Sequence, residues 1–286
     1  MVSIIICTYN MTATLEKCIT SCTKQQYKDI EILVIDDGST DNTKELVVKL
    51  TETDARIRYV YQKHQGQSVA MNNGISQSKG EYIFFLDADD YIYDYCIATL
   101  MDNLETAKAD ISIGTALWSN KESNHCENTV KAYNSSEALK LLVSNHWTFI
   151  KWAFETSWNK IIRKSLFDGF EYPTGLGRDG VFCAHWLLAK AKTIVRTPLE
   201  TYYYSYEPKE RPYNLDLLTA YEDRLKFFKA EGMTELIPLV CTEYIYLYLM
   251  KHRKNKAILE RARKVYEDYK EYLNGREYAF LQNILR

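Results

Sequence analysis

No stretch of this 286-residue chain approaches the ~18–20 consecutive apolar residues that a membrane-spanning helix needs. The opening MVSIIICTYN lacks the basic start and small-residue cleavage site of a secretory signal, and its apolar run of six residues has the length of a buried strand. These two absences set the expectation of a cytoplasmic protein. The seven cysteines are odd in number and contain no C-x-x-C pair. Cys18 and Cys22 stand four apart on an expected helix with no His or further Cys nearby, a pattern of reduced, packed thiols rather than of a zinc site. A formal net charge of −2 carries none of the basic excess of a nucleic-acid binder, so no nucleic-acid partner is expected. Internal repeats and low-complexity segments are missing too.

What is present is an ordinary globular balance, 46% hydrophobic and 26% charged, with 23 tyrosines that become dense after position 200. The first third alternates strands and helices. Val2–Cys7 is a continuous apolar run, the signature of a strand buried on both faces. A helix from Thr12 follows, with Leu15, Cys18, Ile19 and Cys22 at three- and four-residue spacing. Further strands are expected at Ile30–Ile35, Ile57–Tyr61, Tyr82–Leu86 and Ile111–Leu117. The helices between them are expected from Ser39 or Asp41 to about Thr53, over Gln67–Ser78 and over Tyr93–Ala107. Such alternation implies right-handed crossovers and a mostly parallel sheet with flanking helices. From Trp118 to Asn134 the chain turns polar. Helices are expected again at Ser136–Ser144 and Gly180–Lys190, short strands at Thr193–Arg196 and Thr201–Tyr206, and three or four helices beyond Leu215.

Ligands of parallel α/β sheets bind beyond the carboxyl ends of the strands. Thr8-Tyr9-Asn10, Asp36-Asp37 and Asp87-Ala88-Asp89-Asp90 all fall at such ends, so an acidic crevice is expected. Asp87 and Asp89 are two apart, and in extended chain their side chains share a side. Two carboxylates there suit a hard cation, Mg²⁺ or Mn²⁺, together with a diphosphate. The competing reading makes Asp89 or Asp90 the cap of the next helix.

The blocks Thr8-Tyr9-Asn10, Val34 to Asp41, Gly66 to Gly74, Gly80 to Ile83 and Leu86 to Asp90 resemble, in order and spacing, the family 2 glycosyltransferases of the GT-A fold. The likeness is strongest to bacterial members that build capsular, exopolysaccharide or surface-glycan repeats. It implies a nucleotide-sugar-binding half at 1–118, an acceptor-binding and catalytic-base half at 119–206, and a C-terminal helical region at 207–286. It implies a UDP-sugar donor, an Mn²⁺ or Mg²⁺ cofactor, and a saccharide, lipid-linked glycan or glycoprotein acceptor. On the donor side it places Thr8, Tyr9, Asn10, Asp37, Asn72, Asp87 and Ala88. Asp37 would receive the base, Tyr9 would pack on it, Asp87 would meet ribose or metal, and Asp89 would ligate the metal. For Asp37 a turn role and for Tyr9 a core role stand beside these readings.

The resemblance also places a general base in Gly177-Arg178-Asp179-Gly180-Val181-Phe182, at Asp179, and implies inversion at the anomeric carbon. Arg178 stands where relatives usually carry Glu, which bears on acceptor preference. Trp158-Asn159-Lys160 falls where the family binds acceptor, although a Trp anchored in the core beside a surface Lys fits the same residues. Ala70-Met71-Asn72 lacks a frequent Arg, and no Gln-x-x-Arg-Trp occurs, so transfer of one sugar per encounter is expected rather than processive synthesis. A nucleotidyltransferase would carry a basic, Gly-rich first loop, and Cys7 to Met11 has neither feature. A non-catalytic nucleotide-sugar-binding partner of another transferase is the reading that Arg178 leaves open.

Residues 251–286 hold ten Lys/Arg against five Asp/Glu, with Tyr244, Leu247 and Tyr248 at helical spacing just before them. Three expectations follow: an ordinary solvated helical cap, peripheral contact with the inner face of the membrane, or a homodimer contact.

Overall fold

The computed structural model describes residues 1–119, 129–143, 149–176, 179–205, 215–252 and 255–285. Side chains are described for all of these except 149–150, 179, 245–252, 276, 280, 284 and 285. The chain begins with β1 (Val2–Thr8), α1 (Thr12–Thr23), β2 (Ile30–Asp36), α2 (Thr43–Thr51), β3 (Ile57–Tyr61), α3 (Gln67–Gln77) and β4 (Tyr82–Asp87). There follow β5 (Tyr91–Ile92), α4 (Cys96–Thr106), β6 (Ile111–Trp118), β7 (Lys131–Asn134), α5 (Ser135–Leu142), α6 (Phe149–Glu155) and β8 (Lys160–Arg163). The remainder comprises α7 (Asp179–Lys190), β9 (Thr193–Tyr204), α8 (Asp216–Ala230), α9 (Ile237–His252), α10 (Lys256–Tyr269) and α11 (Gly275–Leu285).

The nine strands of the described residues join one sheet in the order β3-β2-β1-β4-β8-β6-β9-β5, with β7 paired to β9. The first four pair in parallel, as alternating strands and helices require. Every residue of β2, and all of β1 but the half-buried Cys7, is buried, as strands covered on both faces are. Helix α1 buries Leu15, Cys18, Ile19 and Cys22, the stripe its spacing prescribes. Beyond β4 the sheet becomes mixed. Strand β8 runs antiparallel to both β4 and β6, while β6 and β9 are parallel.

Two differences from the sequence expectation have local causes. The two short strands foreseen around 193–206 are one strand, β9, whose register against β6 slips between Arg196 and Glu200. Pro198, with no N–H to donate, lies in that slip. Helix α4 starts at Cys96 rather than Tyr93 because Tyr91 and Ile92 first pair with β9 as β5. Strand β8 and helix α6, four and seven residues long, are too short to show a period in sequence.

Six cysteines lie among the described residues; all are free thiols, and all but Cys7 are buried. No helix of the described residues is long and apolar enough to cross a membrane. Helix α10 turns Ile258, Ala262, Val265, Tyr266 and Tyr269 inward, and its densest packing is against α9. Its apolar face is therefore occupied by the protein itself.

Candidate active site

The carboxyl ends of β1, β2, β3 and β4 open on a crevice of about 610 Å³. Strand β1 delivers Thr8 and Tyr9 to it. Thr8 is buried, and its Oγ1 has no hydrogen-bond partner among the described residues. Tyr9 is 43% exposed and stacks on His64, with ring centroids 4.1 Å apart and planes 20° from parallel. Asn10 does not line the crevice. Its φ of 53° turns the chain, its Oδ1 accepts from the Thr40 N–H at 2.8 Å, and its own N–H donates to Ser39 Oγ. It ties the first strand-end loop to the second.

Asp36 and Asp37 divide their work. Asp36 accepts from Tyr59 Oη at 2.6 Å and from the Ser39 N–H at 2.9 Å, which fixes the turn. Asp37 lines the crevice and accepts from Gln62 Nε2, the Gln65 N–H and the Gly66 N–H at 2.8–2.9 Å. His64 Nδ1 bonds the Asp37 backbone carbonyl at 3.0 Å and lies 2.9 Å from Asp37 Oδ2. Three donors take up most of the lone pairs of the carboxylate, so Asp37 orders the 62–66 turn here. Gly38 makes that turn possible, since with φ at +80° a Cβ would sit 2.7 Å from the His64 nitrogen.

The acidic strand end follows. Oxygens of Asp87, Asp89 and Asp90 lie within 4.8 Å of one another. Asp90 is buried, and burial pushes its carboxyl up to about 7 although it accepts from Tyr202 Oη at 2.6 Å and the Ser205 N–H at 2.7 Å. Asp87 and Asp89 are half-buried and line the crevice with Ala88 between them. Three carboxylates this close repel one another unless a cation or a proton intervenes. An all-oxygen donor set at a crevice mouth is what Mg²⁺ or Mn²⁺ takes, so the residues fit the cation that the sequence implies.

The opposite wall is aromatic and helical. Trp158 is buried and lines the crevice; it stacks on Tyr202 at 4.5 Å and on Tyr204 at 5.4 Å, with Trp152 edge-on at 4.6 Å. Through Tyr202 this wall is bonded to Asp90. Asn159 and Lys160, expected beside Trp158 on the acceptor, do not line the crevice. Asn159 has φ at 58°, accepts from Thr201 Oγ1 at 2.8 Å and gives its carbonyl to the Gly114 N–H. Lys160 is buried, with its ammonium donating to the Thr156 carbonyl and hydroxyl. Asn72, expected on the donor, instead bonds both ways to the Tyr172 backbone at 2.8–2.9 Å. These three polar side chains satisfy buried partners within the protein.

Asp179 opens α7, and the next two residues of that first turn, Gly180 and Val181, line the crevice. The Asp179 side chain and all of Arg178 lie outside the described residues. Sequence reading missed His64, Trp152, Glu155 and Tyr204, all on the crevice. His64 stands just past β3, and the strand-end rule that found Asp37 would have found it. The other three lie on α6 and near the end of β9, where no motif or period marked them.

The geometry agrees with comparisons to known proteins. Residues 3–170 match the family model "Glycosyl transferase family 2". The chain is 30% identical over 202 residues to the glycosyltransferase GlyG of Streptococcus pneumoniae, covering 68% of this chain and 67% of that protein. It is also 30% identical over 201 residues to the S. pneumoniae glycosyltransferase GlyA, but spans only 29% of GlyA's length. The uncharacterized glycosyltransferase EpsJ of Bacillus subtilis is 29% identical over 270 residues, or 88% of this chain and 76% of EpsJ. Among solved structures, S. aureus TarS 1–349 in complex with UDP-GlcNAc superposes with a TM-score of 0.76 at 16% identity, over 96% of this chain and 82% of that one. The shared architecture is the GT-A fold, and the chain belongs to glycosyl transferase family 2.

Proposed function

We propose that this protein is an inverting, non-processive glycosyltransferase that moves one sugar from a nucleotide-sugar to a hydroxyl of a saccharide, lipid-linked glycan or glycoprotein. A UDP-sugar is the first donor to test, since TarS, of the same fold, was crystallised with UDP-GlcNAc. The observation that carries the reading is the meeting of the Asp87, Asp89 and Asp90 oxygens at the mouth of a crevice whose other strand ends bring Tyr9 and Asp37.

Tyr9 offers the base a stacking face, with His64 already seated parallel to it. A base N–H reaches the capacity that the three bonds to the Asp37 carboxylate leave open, beside the exposed His64 ring. The orphaned Thr8 hydroxyl bonds the nucleotide where β1 ends. Asp87 and Asp89 hold Mn²⁺ or Mg²⁺, which when bound supplies charge neutralisation at the diphosphate. Trp158 and Trp152 give the sugars an apolar wall. Asp179 takes the proton of the acceptor hydroxyl, whose oxygen forms the new bond to the anomeric carbon as the bond to the diphosphate oxygen breaks. One base and one displacement suffice, and the product is inverted. Because α10 packs its apolar face inward, any approach of the C-terminal helices to a membrane would rest on their Lys and Arg charges.

The test is thermal stabilisation by a panel of nucleotides and nucleotide-sugars, with and without Mn²⁺, followed by product analysis with the best donor. UDP with Mn²⁺ should raise Tm, and Asp89→Ala should remove the Mn²⁺-dependent part. Absence of stabilisation by any nucleotide at millimolar concentration, with either metal, would overturn the reading.

A further inference from the structure

We infer that Arg224, on α8 and beyond the segment matched to the family, is a positioning residue that sets the geometry of the acceptor side of the crevice. The inference rests on the proposed function above, in which the first turn of α7 carries the base.

Arg224 is fully buried. A guanidinium taken out of water costs several kcal/mol unless it is paired and hydrogen-bonded, so its partners show what it is there to hold. A single nitrogen, Nη2, donates both to Glu155 Oε1 at 3.2 Å and to the Val181 carbonyl at 3.1 Å. Its guanidinium carbon Cζ lies 5.1 Å from the centre of the Tyr221 ring. Its Nε and Nη1 have no partner among the described residues. An arginine serving only the core would be better satisfied than this one. The two acceptors it does reach belong to the two segments that form the crevice wall: Glu155 ends α6, Val181 lies in the first turn of α7, and both line the crevice.

Those two segments touch without slack. A Cβ on Gly180 would lie 2.5 Å from the Glu155 carbonyl and 3.0 Å from the Ser157 nitrogen. Gly180 thus lets the first turn of α7 lie directly on the end of α6, and Arg224 bridges the same two segments from behind. A second tie holds α6, the buried Lys151–Glu243 pair to α9; the Arg224 charge also acts on Glu243, and Arg224→Lys preserves it. Loss of the bridge therefore frees the Glu155 side chain and the α7 turn, rather than the domain. A displacement of about 1 Å at a reacting group costs on the order of 100-fold in rate.

The experiment uses the full chain, its best nucleotide-sugar and its acceptor, with Arg224→Lys, Arg224→Met, Glu155→Ala and the double variant. Arg224→Lys keeps the charge but loses the planar fork. The expected result is a fall in kcat of about 10–100-fold for Arg224→Lys, with UDP–Mn²⁺ affinity and donor KM within about twofold of wild type. Arg224→Met with Glu155→Ala should be no slower than the worse single variant, since both cut one link. If Arg224→Met does not fold, the lysine variant and Glu155→Ala decide the matter. Unchanged kcat in folded Arg224→Lys and Glu155→Ala, or losses that appear equally in donor affinity, overturn the inference. A wild type that binds UDP and Mn²⁺ yet transfers to no acceptor overturns the transferase reading, and this one with it.

Discussion

The two walls of the crevice are built by different means. The wall proposed for the donor consists of strand ends: Thr8-Tyr9, Asp37, His64 and the Asp87 to Asp90 cluster stand at or just past the ends of consecutive parallel strands. Its side chains are oriented largely by backbone N–H groups of the neighbouring strand-end loop, as Gln65 and Gly66 hold Asp37. The wall proposed for the acceptor is assembled from α6, α7, β9 and α8, and it is tied by side chains far apart in sequence, Arg224 with Glu155 and Lys151 with Glu243. A parallel sheet thus supplies a nucleotide site almost as a by-product of its topology, whereas the second wall needs buried charges brought from the C-terminal helices. Lesions in the two walls should consequently separate in what they abolish.

The largest effects test that separation directly. Asp179→Asn should lower kcat by about 10²–10⁴-fold, the usual weight of a general base, while leaving UDP–Mn²⁺ stabilisation intact. Asp89→Ala should instead remove metal-dependent nucleotide stabilisation together with activity. If Asp179→Asn lost nucleotide affinity, or Asp89→Ala kept it in full, the division between walls would be broken. Gly180→Ala comes next. Its methyl must displace the end of α6, an overpacking cost of about 1–3 kcal/mol, and the expected signature is a lower kcat and Tm with unaltered nucleotide binding. Asn72→Ala sharpens the comparison on the donor side. It removes two hydrogen bonds to the Tyr172 backbone and should cost about 1–3 kcal/mol in urea unfolding. A loss of UDP affinity beyond what that destabilisation explains would return Asn72 to the ligand.

The same contrast explains what the sequence disclosed. Val2 to Cys7 and Ile30 to Ile35 are buried on both faces, so composition alone reported them, and the polar residues just past them fell at the crevice by topology. Asp89 was legible for that reason. Asn10, Asn159 and Lys160 sit inside matching motifs too, yet their polar atoms close loops or bridge buried backbone groups. A motif records that a residue type is needed and is silent on which neighbour needs it. Glu155 and Arg224 were illegible for the opposite reason. They are 69 residues apart, and nothing local distinguishes the buried Arg224 on α8 from the exposed Arg263 on α10 until the fold brings a carboxylate to it.

The smallest expected effect concerns acid. His185, buried on α7 between Phe227 and Phe228, has its pKa lowered by burial first and by Arg224 as well, against the opposing pull of Asp223 at 3.5 Å. The folded protein thus holds the ring neutral where the unfolded chain, with an ordinary His pKa near ~6.5, already binds a proton. In that window the unfolded state carries more protons, so stability rises with pH. It is fully present above the ordinary His value and is lost as pH falls from there through the lowered one. Urea midpoints at pH 7 and pH 5, at fixed ionic strength, should therefore drop more for wild type than for His185→Leu. A wild type whose midpoint holds at pH 5 while the leucine variant's falls would mean that Asp223 prevails over burial. The α7–α8 contact would then tighten in acid, and the acceptor wall would not be the first part of the site to loosen.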